Sequence, residues 1–391
     1  MRRKAILASI FLLISTFSLG AATYQTLYSF TSWDDASNPF PGVIFDQNGN
    51  LYGVAAWGEI NEGVIFELSP WQGRWNFSAL HEFDEQDPDG AGPIGGLVMD
   101  EAGNLYGTAS YDHGEWECGT VFALSPSADF TVLHYFNCTD GNDSEATLTY
   151  RNGSLWGTTK SGGSSNQGTV FSIDTSGGSF QYHSFTKKKG TQPLSAFSFW
   201  GYGTTFAGGG KGQGNIYRMD PVKGFINVHN FNAEGKSGYA PMGDLLTLNV
   251  GGVRTIYGTT SSGGAGGAGT VYRLKETQPN SDKWQFSVLY SFTGGDDGGN
   301  PMAGLTADAA GNLYGTTTGG GAGGWYCGTV FKLSPGTKNK WAYSVLHTFD
   351  ADNSEACDST GTLVFDKAGN LYGTSQWGGD YFYGNVFEIT P

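Results

Sequence analysis

Apolar side chains in this chain fall in short runs that alternate with polar ones, and Gly, Asn, Asp, Ser and Pro break the runs at close intervals. Residues 96–136 show the pattern well. Gly96-Leu97-Val98-Met99-Asp100 reads as a first strand, A. Glu101-Ala102-Gly103-Asn104 follows as a tight turn, where Gly and Asn accept positive φ. Leu105-Tyr106-Gly107-Thr108 opens strand B, and a loop leads to Gly119-Thr120-Val121-Phe122-Ala123-Leu124, strand C, which Ser125-Pro126 ends. Residues 130–136 form strand D. Two-residue alternation in segments this short, with turn residues between them, predicts antiparallel hairpins.

The same unit recurs along the chain. Its Leu-Tyr-Gly phrase is found around Tyr52, Tyr106, Trp156, Tyr202, Tyr257, Tyr314 and Tyr372, at spacings of 54, 50, 46, 55, 57 and 58 residues. Strand C follows each time, as GVIF, GTVF, GTVF, GNIY, GTVY, GTVF and GNVF. Each strand D ends on a Phe, from Phe30 to Phe349. A supersecondary unit repeated at this period packs as one body. Seven such four-stranded antiparallel units predict an all-β fold, a seven-bladed β-propeller spanning residues 23–391. The fourth unit is the most eroded, because Phe199-Trp200-Gly201-Tyr202 has lost the A–B turn chemistry. Thr26-Leu27-Tyr28-Ser29-Phe30 is a D strand with nothing before it, and Asn385-Val386-Phe387-Glu388-Ile389 is a C strand with no D after it. The first strand is therefore expected to complete the last blade and close the ring without an exposed edge.

Composition agrees with strands and turns. Of 391 residues 63 are Gly, aromatics reach 15%, and apolar residues only 38%. Arg2, Arg3 and Lys4 precede an apolar stretch from Ala5 to Leu19 and small residues near Gly20, the pattern of a signal peptide over residues 1–22. That stretch is shorter than the ~20 residues a membrane span needs. No second apolar run and no C-terminal anchor are seen, so a secreted or periplasmic chain, monomeric and free of the membrane, is expected. Cleavage would move the formal net charge from −15 to −18, a surface that repels nucleic acid.

The phrases GNLYGT at 311–316, GTVFKLSP at 328–335 and VLHTF at 345–349 resemble exported bacterial tandem-repeat proteins of the GloVer, or choice-of-anchor, repeat family. The resemblance covers essentially the whole mature chain. It implies a β-propeller-like repeat and an exported protein, and carries no activity with it. Members of that family often bear a C-terminal surface anchor, and none is expected for this chain.

Candidate chemistry has to be weighed against the repeat. His81, His134, His183, His229 and His347 share one D-strand position in five blades, where Tyr28 and Tyr290 fill the other two. Side chains spread around a ring cannot converge on one metal, so a repeated packing or hydrogen-bonding role is expected. Only His113, in a B–C loop beside Asp112 and Glu115, escapes the pattern. Cys118 and Cys327 precede strand C of blades 2 and 6, and Cys138 and Cys357 follow strand D of the same blades. Adjacent antiparallel strands put each pair within bridging distance, predicting Cys118–Cys138 and Cys327–Cys357 disulfides in an oxidising compartment. Asp87-Pro-Asp-Gly90 and Asp296-Asp-Gly298 are fragments of calcium loops without the remaining ligands, so no cofactor or metal is expected.

The loops single out one face. B–C and D–A loops emerge together on one side of the ring. The B–C loops of blades 3 to 5 are bland and Gly-rich, whereas those of blades 6, 7, 1 and 2 carry Trp325 and Tyr326, Trp377 and Tyr381, Trp57, and Tyr111 and Trp116. Trp33 stands in the D–A loop entering blade 1. D–A loops on the same side are acidic, with Asp34, Asp35, Asp84, Glu85, Asp87, Asp89, Asp140, Asp143, Glu145, Asp350, Asp352, Glu355 and Asp358, while Lys187 to Lys189 make the loop between blades 3 and 4 basic. Aromatic plates beside carboxylates suit stacking and hydrogen bonding to sugars. The expectation is a noncatalytic binding or scaffold protein for carbohydrate, another extracellular polymer or a protein ligand. The alternative is a polysaccharide hydrolase or lyase using two face carboxylates.

Overall fold

A computed structural model describes residues 22–391 apart from Asp34, Ile60, residues 85–88, residues 112–117, Pro221, Glu234, Gly235, Asn280 and residues 323–325. The signal peptide expected over residues 1–22 therefore lies, apart from Ala22, outside the described residues. The described chain is a ring of seven antiparallel β-blades. Blade 2, with strands Val98–Met99, Leu105–Ala109, Thr120–Leu124 and Phe130–Tyr135, represents the A-to-D plan. Blade 4 departs from four strands. Only Tyr202–Thr205, Asn215–Asp220 and Gly224–Asn230 form its ladder, and the segment before them closes as a turn in which Gly201 N–H donates to Ser198 O at 2.8 Å. The ring closes as expected, because Thr23–Ser29 pairs with Asn385–Thr390 as the outer strand of blade 7.

The repeated phrases have physical reasons. The Gly of Leu-Tyr-Gly lies under the ring of the strand C aromatic. A β carbon at Gly107 would stand 2.5 Å from the Phe122 ring, and one at Gly53 2.6 Å from Phe66, so no larger residue fits. In the Asp-x-x-Gly-Asn turn, Asp100 Oδ1 accepts from the Ala102 and Asn104 N–H groups, and Oδ2 accepts from Asn104 Nδ2 at 2.8 Å and Tyr106 OH at 3.0 Å. Asp308 and Asp366 repeat the arrangement. Burial pushes the Asp100 carboxyl up, but these donors outweigh it and hold it below the usual carboxylate range.

The hydrophobic core sits between blades. Phe83 of blade 1 packs with Leu97, Phe122 and Leu124 of blade 2, and equivalent clusters occupy the other interfaces. The D-strand histidines belong to this interface. His81 stacks on Phe130 of the next blade with centroids 3.8 Å apart, and its Nε2 lies 2.6 Å from Asp89. His134 does the same with Phe180 and Asp140, and His347 with Tyr24 and Glu355. Tyr28 and Tyr290 substitute a phenol, bonding Asp35 and Asp297 while stacking on Phe77 and Tyr343. His81, His134 and His347 thus perform the expected packing and hydrogen-bonding role, His229 only stacks, on Phe286, and His183 is exposed and does neither among the described residues.

Among the described residues, six of the seven blades are also stitched to the preceding one at the start of the inner strand. Asn38, Gly92, Asp143, Gln192, Ala240, Asn300 and Asp358 occupy this equivalent position, and all have φ between 52° and 62°. Such left-handed backbone is costly for residues other than Gly. Here it aims the N–H of Ala240 at Gln213 O of the preceding blade, 3.1 Å away, while Ala240 O accepts from Ser261 N–H of its own blade. Asn38, Gly92, Gln192, Asn300 and Asp358 send their N–H groups to the preceding blade in the same way.

Candidate functional site: the axial mouth

The inner strands begin around a cavity of about 400 Å³ on the ring axis, at the face where the B–C and D–A loops emerge. Every blade contributes to its wall. The first residue after each D–A bend supplies an upper tier of Phe40, Ile94, Glu145, Leu194, Met242, Met302 and Thr360. Two residues deeper, a second tier includes Thr147, Asp244, Gly304 and Thr362. Trp57 and Gln376, at the ends of strand B in blades 1 and 7, complete the rim.

Two carboxylates share this cavity. Asp244 stands where four of the other blades place Gly or Ala. Its Oδ1 accepts from the Ala196 N–H of blade 4 at 2.6 Å, and its other oxygen has no protein hydrogen bond among the described residues. The side chain is half-buried. Burial raises its pKa, and the Ala196 hydrogen bond only partly opposes that. Glu145 lies in the upper tier. Lys160 Nζ donates to its Oε1 at 2.6 Å and lies 3.2 Å from Asp143. Burial raises the Glu145 carboxyl, Lys160 pulls it down, and the Asp143 charge adds to the rise. One lysine between two carboxylates leaves a surplus negative charge at the rim.

Of the expected aromatic residues, the structure brings Trp57 and Tyr111 together, with ring centroids 6.0 Å apart, at the mouth. Trp57 is half-buried and Tyr111 is exposed. The others lie further out on the face. Trp377 is half exposed and pairs its backbone with Cys357, Tyr326 precedes Cys327, and Trp33 O accepts from Asn61 Nδ2. Among the described residues no ring contact joins Trp33, Tyr326, Trp377 or Tyr381 to one another, so they do not form one shelf. His113, Trp116 and Trp325, with Asp112 and Glu115, lie outside the described residues. Both disulfides form as expected, with Cα separations of 5.4 Å for Cys118–Cys138 and 4.4 Å for Cys327–Cys357.

Among the described acidic D–A side chains, Asp35, Asp140 and Glu355 close their own loops. Asp35 takes Thr31 N–H, Thr31 Oγ1 and Tyr28 OH, and Asp140 takes Asn137 N–H and lies 3.1 Å from His134 Nε2. Glu355 accepts from Asp350 N–H and sits against His347. At these three positions the acidic charge is architectural. Sequence reasoning singled out Glu145 but passed over Asp244 and Gln376. The signal was present, since Asp244 breaks the run of small residues three positions after the loop proline.

The Gloeobacter/Verrucomicrobia repeat matches residues 13–198 and 200–391. The chain belongs to the Gloeobacter/Verrucomicrobia repeat family. No curated protein matches it by sequence. Among solved structures, the repeat chain is similar to an extracellular domain assigned to a hybrid two-component system of B. thetaiotaomicron, at 11% identity and a TM-score of 0.55. That match covers 93% of this chain and 39% of the other, so the repeat chain spans about two fifths of that protein's length. It is also similar to a Penicillium chrysogenum alpha-L-arabinanase complexed with arabinobiose, at 11% identity and a TM-score of 0.51, covering 94% and 98% of the two chains. At such identity the likeness establishes a shared propeller fold.

Proposed function

We propose that this chain is an exported binding protein that takes a carbohydrate, as the end or a side group of an extracellular polymer, into the axial mouth. One observation carries the reading: a single cavity joins an indole plate at Trp57 to the Glu145 and Asp244 carboxyls, the Gln376 amide and the Thr360 and Thr362 hydroxyls. Sugar rings offer apolar faces for stacking and hydroxyls that need both donors and acceptors, and this wall supplies both. The two disulfides suit an oxidising compartment. The test is a glycan-array screen of residues 23–391, followed by calorimetry on Trp57→Ala. Retained affinity in that variant would place the ligand elsewhere.

A second reading rests on Asp244 and Glu145 lining one cavity with both carboxyls pushed upward by burial. Glycoside hydrolysis uses such a pair, one protonated and one ionised. Asp244 would be the acid and Glu145, held by Lys160, the base or nucleophile. Turnover of an array-selected glycan that Asp244→Asn abolishes, with binding intact, favours this reading. Binding without turnover leaves the first.

A further inference from the structure

The interface between blades 3 and 4 breaks the pattern of the others in four ways. The first is in the ladder. In the other six blades strand D carries a bulge opposite strand C, as where Val121 pairs with His134 but Phe122 with Val132. In blade 3 the ladder runs without one, Val170 to His183 and Phe171 to Tyr182. The cause is visible in the sequence: Phe180 and His183 are three apart, where Phe130 and His134 are four apart. The second concerns the imidazole. His183 is exposed, and among the described residues it neither stacks on the next blade nor meets a carboxylate.

The third break is a change of charge. The D–A position that holds Asp35, Asp89, Asp140, Asp297 or Glu355 elsewhere is Lys189 here. Lys189 Nζ lies over the Phe225 ring, 5.6 Å from its centroid, on the aromatic that would otherwise stack on the histidine. Its backbone is fixed, with its N–H on Thr186 O and its O accepting from Asn215 Nδ2, both at 2.8 Å. The fourth is packing. The buried cluster at this interface is small, made of Val170, Phe185, Phe197 and Tyr217. A cavity of about 290 Å³ results, with Val170, Phe185, Met219 and Phe225 as an apolar floor and His183, Lys189 and Lys223 on its walls.

We propose that this slot binds a small carboxylate or sulfate group carried on a ring. Five of the other six slots contain a ring with a carboxylate beside it, both from the protein, and in the sixth His229 stacks on Phe286 with Ser237 at the carboxylate position. This one lacks both and presents a lysine where the carboxylate would stand, so a ring-borne anion supplies the missing pieces. Lysine and an apolar floor favour an anion with an apolar flank over a strongly hydrated free ion. Lys187 and Lys188 on the same loop extend the positive field in an otherwise acidic protein. The site lies between two blades, away from the axial mouth, and does not depend on what binds there.

The experiment titrates residues 23–391 with benzoate and with glucuronate, using benzamide and glucose as neutral counterparts, by calorimetry and by NMR of the His183 ring. At least one anion should bind one to one, shift the His183 resonances, and exceed its neutral counterpart by about tenfold or more in affinity. Which anion binds tells whether the ring is aromatic or a sugar. Lys189→Asp, which restores the carboxylate found in five of the other slots, should fold normally and lose about tenfold or more of that affinity. Lys187→Ala, off the cavity wall, should change it less than about twofold. Binding of neither anion, equal binding of the neutral compounds, or retained affinity in Lys189→Asp would overturn the proposal.

Discussion

Tyr272→Phe is expected to stabilise this protein. Strand C carries Phe at the site in five blades and Tyr only at Tyr217 and Tyr272. Both rings are fully buried, and neither hydroxyl has a hydrogen-bond partner among the described residues. Burial drives both phenols far above their ordinary range. Each hydroxyl points at the Gly of its Leu-Tyr-Gly phrase, Gly203 or Gly258. Leaving a buried hydroxyl unsatisfied costs ~1–3 kcal/mol. Removing the oxygen leaves a void smaller than a water molecule's ~30 Å³, which at ~24 cal/mol per Å³ returns less than about 0.7 kcal/mol. The net gain is therefore roughly 1–2 kcal/mol for each Tyr→Phe change. In denaturant titrations the midpoint should rise with an unchanged slope. The two sites lie in different blades, so the double variant should gain close to the sum. A destabilisation of about 1 kcal/mol or more in either variant would refute the reasoning, because the hydroxyl would then have a partner.

The remaining predictions concern the interfaces, the bridges and the mouth. Burial lowers the His229 pKa to about 4, so the native protein holds it neutral. The unfolded chain protonates at its ordinary ~6.5, so stability is complete above that pH and falls by up to ~3 kcal/mol as pH drops toward 4. His229→Tyr, matching Tyr28 and Tyr290, should flatten that part of the pH profile, and an unchanged slope would deny His229 this role. Reducing the bridges, which span 20 and 30 residues, should cost ~3 kcal/mol each, read as a lower unfolding midpoint in dithiothreitol and again in Cys118→Ser and Cys327→Ser. Trp57→Ala should weaken glycan binding by ~1–3 kcal/mol while Trp377→Ala changes little, and the reverse order would move the site outward to the loops.

The repeat made the architecture readable because its constraints are local and recur in every blade. Gly under the aromatic, Asp against Asn and Tyr in the turn, and Cys at facing strand ends each show as a fixed spacing. Equivalence also placed His81, His134, His229 and His347 in the interfaces before their stacking partners could be named, though it failed for His183. The axial site was harder to read. Seven inner strands, each from a different part of the chain, converge there, and Glu145 and Asp244 meet one cavity although about a hundred residues separate them. The outer aromatics gave a stronger signal in sequence than they earn in space, since Trp57 alone of those described turns to the axis. Acidic D–A loops misled for a related reason. Sequence shows the charge but not that Asp35, Asp140 and Glu355 spend it on their own loops.

Entry of a ligand into the axial mouth can be seen directly. The most direct measurement is a crystal structure of residues 23–391 with the glycan selected by the array. The expected result is a sugar ring against Trp57, within hydrogen-bond reach of Asp244 and Gln376, with the outer loops bare. A glycan seated on Trp377 and Tyr381 above an empty mouth would contradict it.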